Sequence, residues 1–343
     1  MPKEYFSPER ASALAAVPAG AKIHVIGVSG VAMAQLAVAL SEAGYEVSGS
    51  DKEFYEPMGS YLSRSKVRLC RGYAAANIPP GVALVVIGNA VSYGHPEVEQ
   101  VEQQKLPYSF FPKLLRELII RDRHSVVVAG THGKSTTSAM MATVLAKLGD
   151  DPSYFIGGVV RDLPASLWRG VGSVSVVEGD EYDSAFFAKV PKFSFYAATT
   201  LVITSIEYDH ADIYPSLESI NAVFTKEVLA LPAQSCVLCC SDDENLQTLL
   251  AQWRTQARCR IVTYGRRPGS EYHLEEVRSV GDAQEMRATA PDGRVLSWKL
   301  GVPGAHNALN SLAVLAVSDL LKLDSSKVTA ALAGFLGVKR RQE

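Results

Sequence analysis

Apolar runs of strand length alternate with longer segments of helical spacing through the first third of the chain. The run "KIHVIGV", which begins at Lys22, precedes the helical stretch "VAMAQLAVALSEAG" and the strand "YEVSGSD". The strand "VALVVIGNA" and the helical "PEVEQVEQQ" continue this order. Alternating strands and helices are typical of a parallel sheet with helices on both faces. The pattern therefore predicts an N-terminal α/β domain of Rossmann-like type over residues 1–122.

A second series of strands follows the charged segment "RDRH", and we expect a domain boundary near residues 121–123. The predicted strands are "HSVVVAG", "SVSVVEGD", "TLVITSIEYD", "SCVLCCS" and "CRIVTYG". A β-rich patch comes next, with a hairpin signal in "PDGR" at residues 291–294. Two helices, "HNALNSLAVLAVSDLLKL" and "SSKVTAALAGFL", complete a second α/β domain, which we place at residues 123–336.

The composition is that of a soluble globular protein, because 47% of the 343 residues are hydrophobic and 20% are charged. A formal net charge of -2 predicts no broad attraction to nucleic acid or to acidic membranes. The apolar runs are far shorter than the roughly 18 residues that a membrane span needs. The first residues also lack the order of a secretory signal, so we expect a cytoplasmic protein.

The five cysteines predict no disulfide framework. Cys236 and Cys239 have C-x-x-C spacing, but "SCVLCCS" has the pattern of a buried strand, and no second pair of ligands lies nearby in the sequence. A structural role is therefore favoured over metal binding.

A glycine-rich segment, "VVVAGTHGKSTTSAMMATVL" from Val126, carries the main signal for chemistry. The usual phosphate loop, G-x-x-x-x-G-K-[ST], has a glycine where this chain has Val128. Gly130 and Gly133 nevertheless lie between a predicted parallel strand and a helix N-terminus, where free backbone N–H groups favour an anion. The alternative is a strand-turn-helix connection with a solvated lysine. We favour a nucleotide site in which Lys134 reaches the β- and γ-phosphates.

Further oxygen ligands are predicted near this loop. The hydroxyl of Ser135 or Thr136 would hold Mg²⁺. Glu178 ends a predicted strand and begins the acidic cluster Glu178, Asp180, Glu181 and Asp183. A carboxylate at that place suits a magnesium ligand, although a solvated acidic turn is the alternative. His210, in "EYDHAD", is by itself more typical of a structural histidine.

The N-terminal domain carries a second glycine-rich turn, "GVSGVAM" from Gly27. Ser29 and Ala32 stand where the dinucleotide fingerprint has glycines, so the match to that fingerprint is weak. Asp51 ends the second strand, at the place of a ribose-binding acid. These residues alone are also compatible with a nicotinamide (NAD) dehydrogenase.

Several segments together resemble the Mur ligases, which build the peptide part of bacterial cell-wall precursors. "AGTHGKST" is similar to the compact ATP loop of that family. "VVEGDEYDSAFF", "SIEYDHADIY", "GAHNALNSLA" and "GFLGVKRRQE" follow in the family's order and spacing. The resemblance covers nearly the whole chain. It implies a Rossmann-like domain for UDP-N-acetylmuramate and a P-loop central ATPase domain with a small β-rich patch.

The resemblance also implies roles for individual residues. ATP would be bound by Gly130, Thr131, His132, Gly133, Lys134, Ser135 and Thr136, and its adenine by His306, Asn307 and Asn310. Mg²⁺ would be held by Ser135, Glu178 and, as a second ion beside the substrate carboxylate, by His210. UDP-N-acetylmuramate would be bound by Gly27, Ser29, Gly30, Asp51 and Asn89. For the amide pair Asn307 and Asn310, helix capping is the alternative.

The implied reaction is the ATP-dependent joining of an amine to the carboxylate of UDP-N-acetylmuramate. Tyr182, "SAFFAK" and "GNAVSYGHPEVE" resemble the family members that add the tripeptide L-alanyl-γ-D-glutamyl-meso-diaminopimelate, more than the members that add L-alanine. A non-catalytic module that binds UDP-sugar or ATP is a further alternative. Family members continue into a third domain, so we expect residues 337–343, including Arg340 and Arg341, to begin a linker to it.

Overall fold

The computed structural model describes residues 5–209, 211 and 213–339. The chain forms two compact units: Met1–Arg121 with Tyr182–Tyr196, and Asp122–Glu181 with Ala197–Glu343. We call them unit 1 and unit 2. The segment Tyr182–Tyr196 is therefore part of unit 1, whereas the sequence pattern placed it within the second domain.

Strands and helices alternate through both units. The strands are β1 (Lys22–Ile26), β2 (Glu46–Asp51), β3 (Arg68–Arg71), β4 (Leu84–Ile87), β5 (Tyr108–Phe110), β6 (His124–Ala129), β7 (Ser153–Phe155), β8 (Leu167–Trp168), β9 (Val174–Glu178), β10 (Asp183–Ala185), β11 (Ala188–Pro191), β12 (Thr200–Ile203), β13 (Cys236–Cys240), β14 (Arg260–Gly265), β15 (Tyr272–Val280), β16 (Ala283–Thr289) and β17 (Val295–Leu300). The helices are α1 (Val31–Glu42), α2 (Met58–Ser63), α3 (Pro96–Gln103), α4 (Phe111–Leu115), α5 (Lys134–Lys147), α6 (Leu217–Ala230), α7 (Glu244–Gln256), α8 (Ala305–Leu320) and α9 (Ser325–Ala333).

The sheet of unit 1 is fully parallel and has the order β3-β2-β1-β4-β5. The strand β4 is apolar along its length and every one of its residues is buried, as expected for a strand covered on both faces. The strand β1 pairs with β2 on one side and β4 on the other, so the connections diverge at its carboxyl end. In open α/β sheets, ligands bind at this divergence point.

The hairpin of β10 and β11 packs on unit 1 through aromatic rings. Phe187 lies 5.9 Å from Phe6, 5.4 Å from Tyr108 and 5.4 Å from Phe110, measured between ring centroids. Phe186 lies 5.5 Å from Phe6. Aromatic pairs in this range of distance and angle stabilise the packing beyond the area they bury. These contacts explain why the segment belongs to unit 1, and sequence order alone could not reveal them.

A buried polar cluster joins β1, β2 and α3 beneath the same sheet. The side chains of His24 and Glu97 are fully buried. Ser50 donates a 2.5 Å hydrogen bond to the Glu97 carboxylate, and Asn77 donates one of 2.7 Å. Burial alone would raise the pKa of Glu97, but hydrogen bonds from His24, Ser50 and Asn77 outweigh it, so the pKa of Glu97 is lowered. The charged carboxylate therefore stabilises unit 1 at neutral pH.

We expect Glu97→Gln to lower the free energy of unfolding by about 2 kcal/mol at neutral pH, because it weakens several charge-assisted hydrogen bonds at a buried site. A folded-state pKa below the usual 4.5 gives a contribution that is present above that pH and is lost as pH falls through the folded value. The difference between wild type and variant should therefore shrink in acid. Urea unfolding at several pH values measures it, with the exposed Glu99→Gln of the same helix as control. An equal loss at every pH would contradict this account.

The described residues of unit 2 form a sheet of ten strands in the order β17-β16-β15-β14-β13-β12-β6-β9-β7-β8. The strand β6 runs parallel to its neighbours β12 and β9, so it occupies the same kind of divergence point as β1 does in unit 1. The predicted β-rich patch is the antiparallel meander β15-β16-β17. Its predicted "PDGR" hairpin is confirmed by hydrogen bonds from Ala290 N to Arg294 O and from Gly293 N to Ala290 O.

The end of the described chain pairs with unit 2. Val338 forms an antiparallel bridge with Val160, and the Lys339 amide donates to the Val159 carbonyl. Val338 is 4% exposed. Residues 337–339, which the sequence assigned to a linker, are thus held by backbone pairing and burial. Arg340 and Arg341 lie outside the described residues.

The strand β13 carries three of the five cysteines, Cys236, Cys239 and Cys240. All five residues of β13 are buried, as predicted for "SCVLCCS", and burial raises the pKa of Cys236 to about 11. Among residues 5–209, 211 and 213–339, no group of three His, Cys, Asp or Glu side chains is placed to hold a metal ion. None of the described helices is both long enough and apolar enough to cross a membrane.

Candidate functional site

The glycine loop of unit 2 lies between the end of β6 and the start of α5. Gly130 has φ of 123° and Gly133 has φ of 82°, values that side chains rarely adopt. A Cβ at Gly130 would lie 2.5 Å from Thr204 Oγ1 and 2.6 Å from the Ser205 carbonyl oxygen. A Cβ at Gly133 would lie 2.7 Å from Asn310 Oδ1. Both glycines are therefore required for the loop to pass so close to its neighbours.

Two residues that follow β12, Thr204 and Ser205, form hydrogen bonds with the glycine loop. The Thr131 amide donates to the Ser205 carbonyl at 2.9 Å, and the His132 amide donates to Ser205 Oγ at 3.1 Å. Thr204 Oγ1 donates to the His132 carbonyl. The loop is thus positioned by the neighbouring strand end, a role that the sequence analysis did not give to Thr204 or Ser205.

Lys134, the first residue of α5, folds back over the loop. Its Nζ lies 2.5 Å from the Gly130 carbonyl oxygen and 2.9 Å from Glu181 Oε2. The amides of the first turn of a helix have no acceptor within the helix, so the loop end of α5 offers backbone donors next to this ammonium group. Such an arrangement favours phosphate oxygens.

Glu181 is the residue whose importance the sequence did not reveal. It is 4% exposed, and its Oε1 accepts a 2.9 Å hydrogen bond from the Gly130 amide. Burial raises the pKa of Glu181, and the Lys134 ammonium and the Gly130 amide offset this only partly. The carboxylate thus engages a loop amide and the loop lysine, the two kinds of donor that bind phosphate. The only signal in the sequence was its place in the acidic cluster.

Glu178, at the end of β9, contacts Ser135 in the first turn of α5. Ser135 Oγ donates to Glu178 Oε1 at 2.7 Å, and the Gly157 amide donates to Glu178 Oε2 at 2.8 Å. Both residues are buried: Ser135 is 0% exposed and Glu178 is 7% exposed. A hydroxyl and a carboxylate at this distance are hard oxygen donors that suit Mg²⁺. The sequence left Ser135 and Thr136 as alternatives, and the contact with Glu178 favours Ser135.

The three residues predicted to contact adenine have different surroundings. His306 is exposed, whereas Asn307 is fully buried and its Nδ2 donates to the Pro303 carbonyl at 2.7 Å. Asn310 is 5% exposed and packs against Gly133. Neither asparagine caps α8, whose N-cap is Gly304 with no side-chain capping hydrogen bond, so the capping alternative is wrong. Both asparagines are buried, and His306 is the exposed member of the set. His210, predicted to hold metal, lies outside the described residues.

Unit 1 contains a pocket of about 420 Å³ at the carboxyl end of β1. Its lining includes four of the five residues predicted to bind UDP-sugar, namely Gly27, Gly30, Asp51 and Asn89. The fifth, Ser29, donates from its amide to Asp51 Oδ2 at 2.7 Å. The turn after β1, the start of α1 and the segment after β4 are thereby brought together. A cavity of this size accommodates a small-molecule ligand.

Asp51 organises the floor of this pocket. In addition to the Ser29 amide, it accepts a 2.8 Å hydrogen bond from the Tyr73 hydroxyl and one of 2.7 Å from the Lys52 amide. Burial, followed by the contact with Asp51, raises the pKa of Tyr73 to about 12. A carboxylate has about four acceptor positions, so Asp51 supports the loop and keeps capacity for a ligand hydroxyl.

The geometry of the loop between β6 and α5 defines a class of protein. A P-loop nucleotide-binding site consists of a parallel strand, a glycine loop, an adjacent lysine and a carboxylate at the end of the neighbouring strand of the sheet. Comparison with protein families agrees. The Mur ligase middle domain matches residues 128–318, and the Mur ligase family catalytic domain matches residues 22–123. The protein belongs to the Mur ligase family of ATP-dependent amide ligases, which confirms the predicted family and fold class.

Relatives with two activities are about equally similar to the chain. The UDP-N-acetylmuramate–L-alanyl-γ-D-glutamyl-meso-2,6-diaminoheptandioate ligase of Escherichia coli is 35% identical over 324 residues, which are 94% of this chain and 69% of that protein. The UDP-N-acetylmuramate–L-alanine ligase of Salinibacter ruber is also 35% identical, and the match covers 94% of this chain and 65% of that protein. A solved ligase of the first type, from Neisseria meningitides, superposes with a TM-score of 0.83 at 32% identity, covering 94% of this chain and all of the other.

Proposed function

We propose that the protein joins the tripeptide L-alanyl-γ-D-glutamyl-meso-diaminopimelate to UDP-N-acetylmuramate at the expense of ATP. The observation that carries the proposal is the pairing of Lys134 with Glu181 and of Ser135 with Glu178 around one glycine loop. The activities of the relatives from Escherichia coli and Neisseria support the choice of substrate. The 420 Å³ pocket of unit 1 is the proposed site of the UDP-sugar.

The reaction needs ATP because a carboxylate is a poor electrophile with a poor leaving group. A carboxylate oxygen of the sugar's lactyl group attacks the γ-phosphorus, and the bond to the β-phosphate oxygen breaks. ADP leaves, and an acyl phosphate is formed. The peptide amine then attacks the carbonyl carbon and loses a proton. Collapse of the tetrahedral intermediate expels phosphate and leaves the new amide.

The residues of unit 2 supply position and charge for this chemistry. Lys134 would turn from Glu181 toward the β- and γ-phosphates, and the amides at the start of α5 would bind phosphate oxygens. Ser135 and Glu178 would hold Mg²⁺, which supplies neutralisation of phosphate charge when it is bound. We keep His210 as a proposed ligand beside the substrate carboxylate and His306 as the proposed contact of adenine.

A second candidate is the addition of L-alanine to UDP-N-acetylmuramate. The 35% identity to the Salinibacter ruber ligase, equal to that of the Escherichia coli relative, favours it. The two candidates share ATP, Mg²⁺ and the UDP-sugar and differ only in the amine. The same residues of units 1 and 2 would therefore serve either reaction.

A competition assay tests the proposal. The protein is given ATP, Mg²⁺ and UDP-N-acetylmuramate together with equal amounts of tripeptide and L-alanine, and the UDP-linked products are separated by mass. We expect the tripeptide product to predominate. Predominance of the alanine product would support the second candidate instead. Calorimetry with UDP-N-acetylmuramate, an ATP analogue and NAD addresses other classes, since tight NAD binding with neither of the other two ligands would exclude a ligase. Binding of both without product would indicate a binding module.

A further inference from the structure

One wall of the unit 1 pocket comes from a distant part of the sequence. Ser184 and Lys192 line it, beside residues of the β1 turn and of the start of α1. Both belong to the segment Tyr182–Tyr196, which begins immediately after Glu181 of unit 2. No motif in the sequence marks Lys192 as a binding residue. Its place at a pocket 420 Å³ in volume identifies it as a potential ligand contact.

The pocket has an unusual balance of charge for a site that would bind a diphosphate. Among the described residues that line it, Lys192 is the one lysine or arginine, and Asp51 is the one carboxylate. His95 also lines the pocket, but burial lowers its pKa, and the nearby Glu97 and Asp51 carboxylates offset this only in part. His95 is therefore uncharged at neutral pH, and Lys192 supplies the fixed positive charge.

Lys192 is held by a well-packed element. It follows β11 directly and begins a short 3-10 helix, Lys192–Phe195. The preceding hairpin is anchored by Phe187 against Phe6 and Phe110. Lys192 Nζ lies 5.7 Å from the centroid of the Tyr182 ring, and the residue is only partly exposed. The backbone that carries Lys192 at the pocket is therefore fixed by packing within unit 1.

The other side of the pocket offers complementary donors. Gly30 is the N-cap of α1 and has no side-chain capping hydrogen bond. The first amides of α1 therefore remain for a ligand, and the positive end of the helix dipole points the same way. A diphosphate that contacts both these amides and the ammonium group would be neutralised by two kinds of donor.

We propose that Lys192 binds the diphosphate of the UDP-sugar, so that the segment Tyr182–Tyr196 completes the UDP-sugar pocket of unit 1. The inference rests on the proposed function, because it assumes that this pocket takes UDP-N-acetylmuramate. Lys192 would be a binding residue that lies outside residues 1–122 in the sequence, and its ligand group would be the diphosphate. Lys192 thereby contributes to substrate affinity rather than to the chemistry at the carboxylate.

Calorimetric titration of the 343-residue protein with four ligands tests this assignment: uridine, UDP, UDP-N-acetylglucosamine and UDP-N-acetylmuramate. We expect Lys192→Ala to weaken the three diphosphate ligands by about 10- to 100-fold each, the loss of one charge-assisted contact, and to leave uridine affinity unchanged. Lys192→Arg should recover most of the affinity, since guanidinium also binds phosphate. The wild-type affinity for UDP should fall more steeply with salt than that of Lys192→Ala.

The matched control is Lys189→Ala on the same hairpin. Lys189 pairs with Asp183 at 2.6 Å, and its side chain is 67% exposed; it is not among the lining residues of the pocket. Its removal should leave all four affinities unchanged. Thermal unfolding of each variant shows whether the fold is intact. Lys192→Gln keeps a polar side chain without the charge, so it shows whether the charge itself is needed.

Each remaining outcome decides against a particular claim. If Lys192→Ala weakens only UDP-N-acetylmuramate, the ammonium binds the lactyl carboxylate, and the diphosphate assignment is wrong. If uridine weakens equally with UDP, the effect is on the shape of the pocket, and the assignment is again wrong. Unchanged affinities with intact wild-type binding would overturn the inference alone. Failure of wild type to bind any UDP ligand would overturn the UDP-sugar site of the proposed function itself.

Discussion

Replacement of Lys134 with alanine is expected to abolish ATP binding and to leave UDP-sugar affinity nearly unchanged. The ammonium group is the charged donor of the glycine loop, and its loss should weaken ATP by about 100-fold or more. The pocket proposed for the UDP-sugar is lined by residues that all belong to unit 1, so binding there should not depend on Lys134. Calorimetry with a non-hydrolysable ATP analogue and with UDP-N-acetylmuramate measures both affinities on one protein sample.

Lys134→Ala should also destabilise unit 2, so the experiment needs a variant that separates loss of stability from loss of ATP binding. Lys134 and Glu181 are 12% and 5% exposed in their side chains and lie 2.9 Å apart. Removing one partner of a buried ion pair costs about 3–5 kcal/mol, because the other charge stays buried. The double variant Lys134→Ala/Glu181→Gln removes that charge, so it should regain stability in urea unfolding but not ATP binding.

Lys147→Ala provides a matched control on the same helix. Its Nζ contacts the Gly334 carbonyl at the far end of α5, so ATP affinity should be retained. Recovery of ATP binding in the double variant would show that Lys134→Ala acts through folding only. An equal loss of ATP and UDP-sugar affinity would contradict the division into two binding sites.

Gly130→Ala should have an effect of similar size for a steric reason. Its Cβ would approach Thr204 Oγ1 to 2.5 Å and the Ser205 backbone nitrogen to 2.9 Å, and the φ of 123° is itself unfavourable for alanine. The backbone of Ser205 cannot move aside without disturbing the end of β12. We expect a loss of about 3 kcal/mol or more in unfolding free energy, together with loss of ATP binding.

Gly149→Ala separates the steric cost of an added Cβ from the cost of a positive φ. Gly149 follows α5 with φ of 87°, and a Cβ there would meet no atom within 4 Å. It should therefore show the backbone cost alone, about 1 kcal/mol, with normal ATP affinity. Thr204→Ala should not rescue Gly130→Ala, since the Ser205 carbonyl remains 2.6 Å from the added methyl group. Normal ATP binding by Gly130→Ala would refute the steric account of the loop.

Glu181 shows where prediction from sequence reached its limit at the site. Its position in "EGDEYD" marked it as one of the acidic residues near a proposed metal ligand, and the family resemblance placed it near the substrate without assigning it any chemistry. In the structure its carboxylate accepts hydrogen bonds from the Gly130 amide and from Lys134. Which of several neighbouring carboxylates meets the lysine depends on the direction that the chain takes after β9. Local sequence does not encode that direction.

The asparagines of α8 illustrate the same limit. Their spacing of three residues placed them on one helical face, and either base contact or a structural role was compatible with it. Burial of Asn307 and the contact of Asn310 with Gly133 depend on how α8 packs against the loop. An amide side chain can serve either purpose, and only its surroundings distinguish them.

The sequence by itself determined strands such as β1, β4, β6 and β13, the helices α1 and α8, and the glycine loop between β6 and α5, because apolar periodicity and the G-K-S triplet act over a few neighbouring residues. It did not predict the helices α6 and α7. It also determined the family, through motifs in a shared order. The tertiary structure decided that Tyr182–Tyr196 joins unit 1, that Glu181 contacts Lys134, and that Lys192 lines the pocket. These contacts join residues far apart in the chain, and they depend on packing between elements whose partners no local pattern specifies.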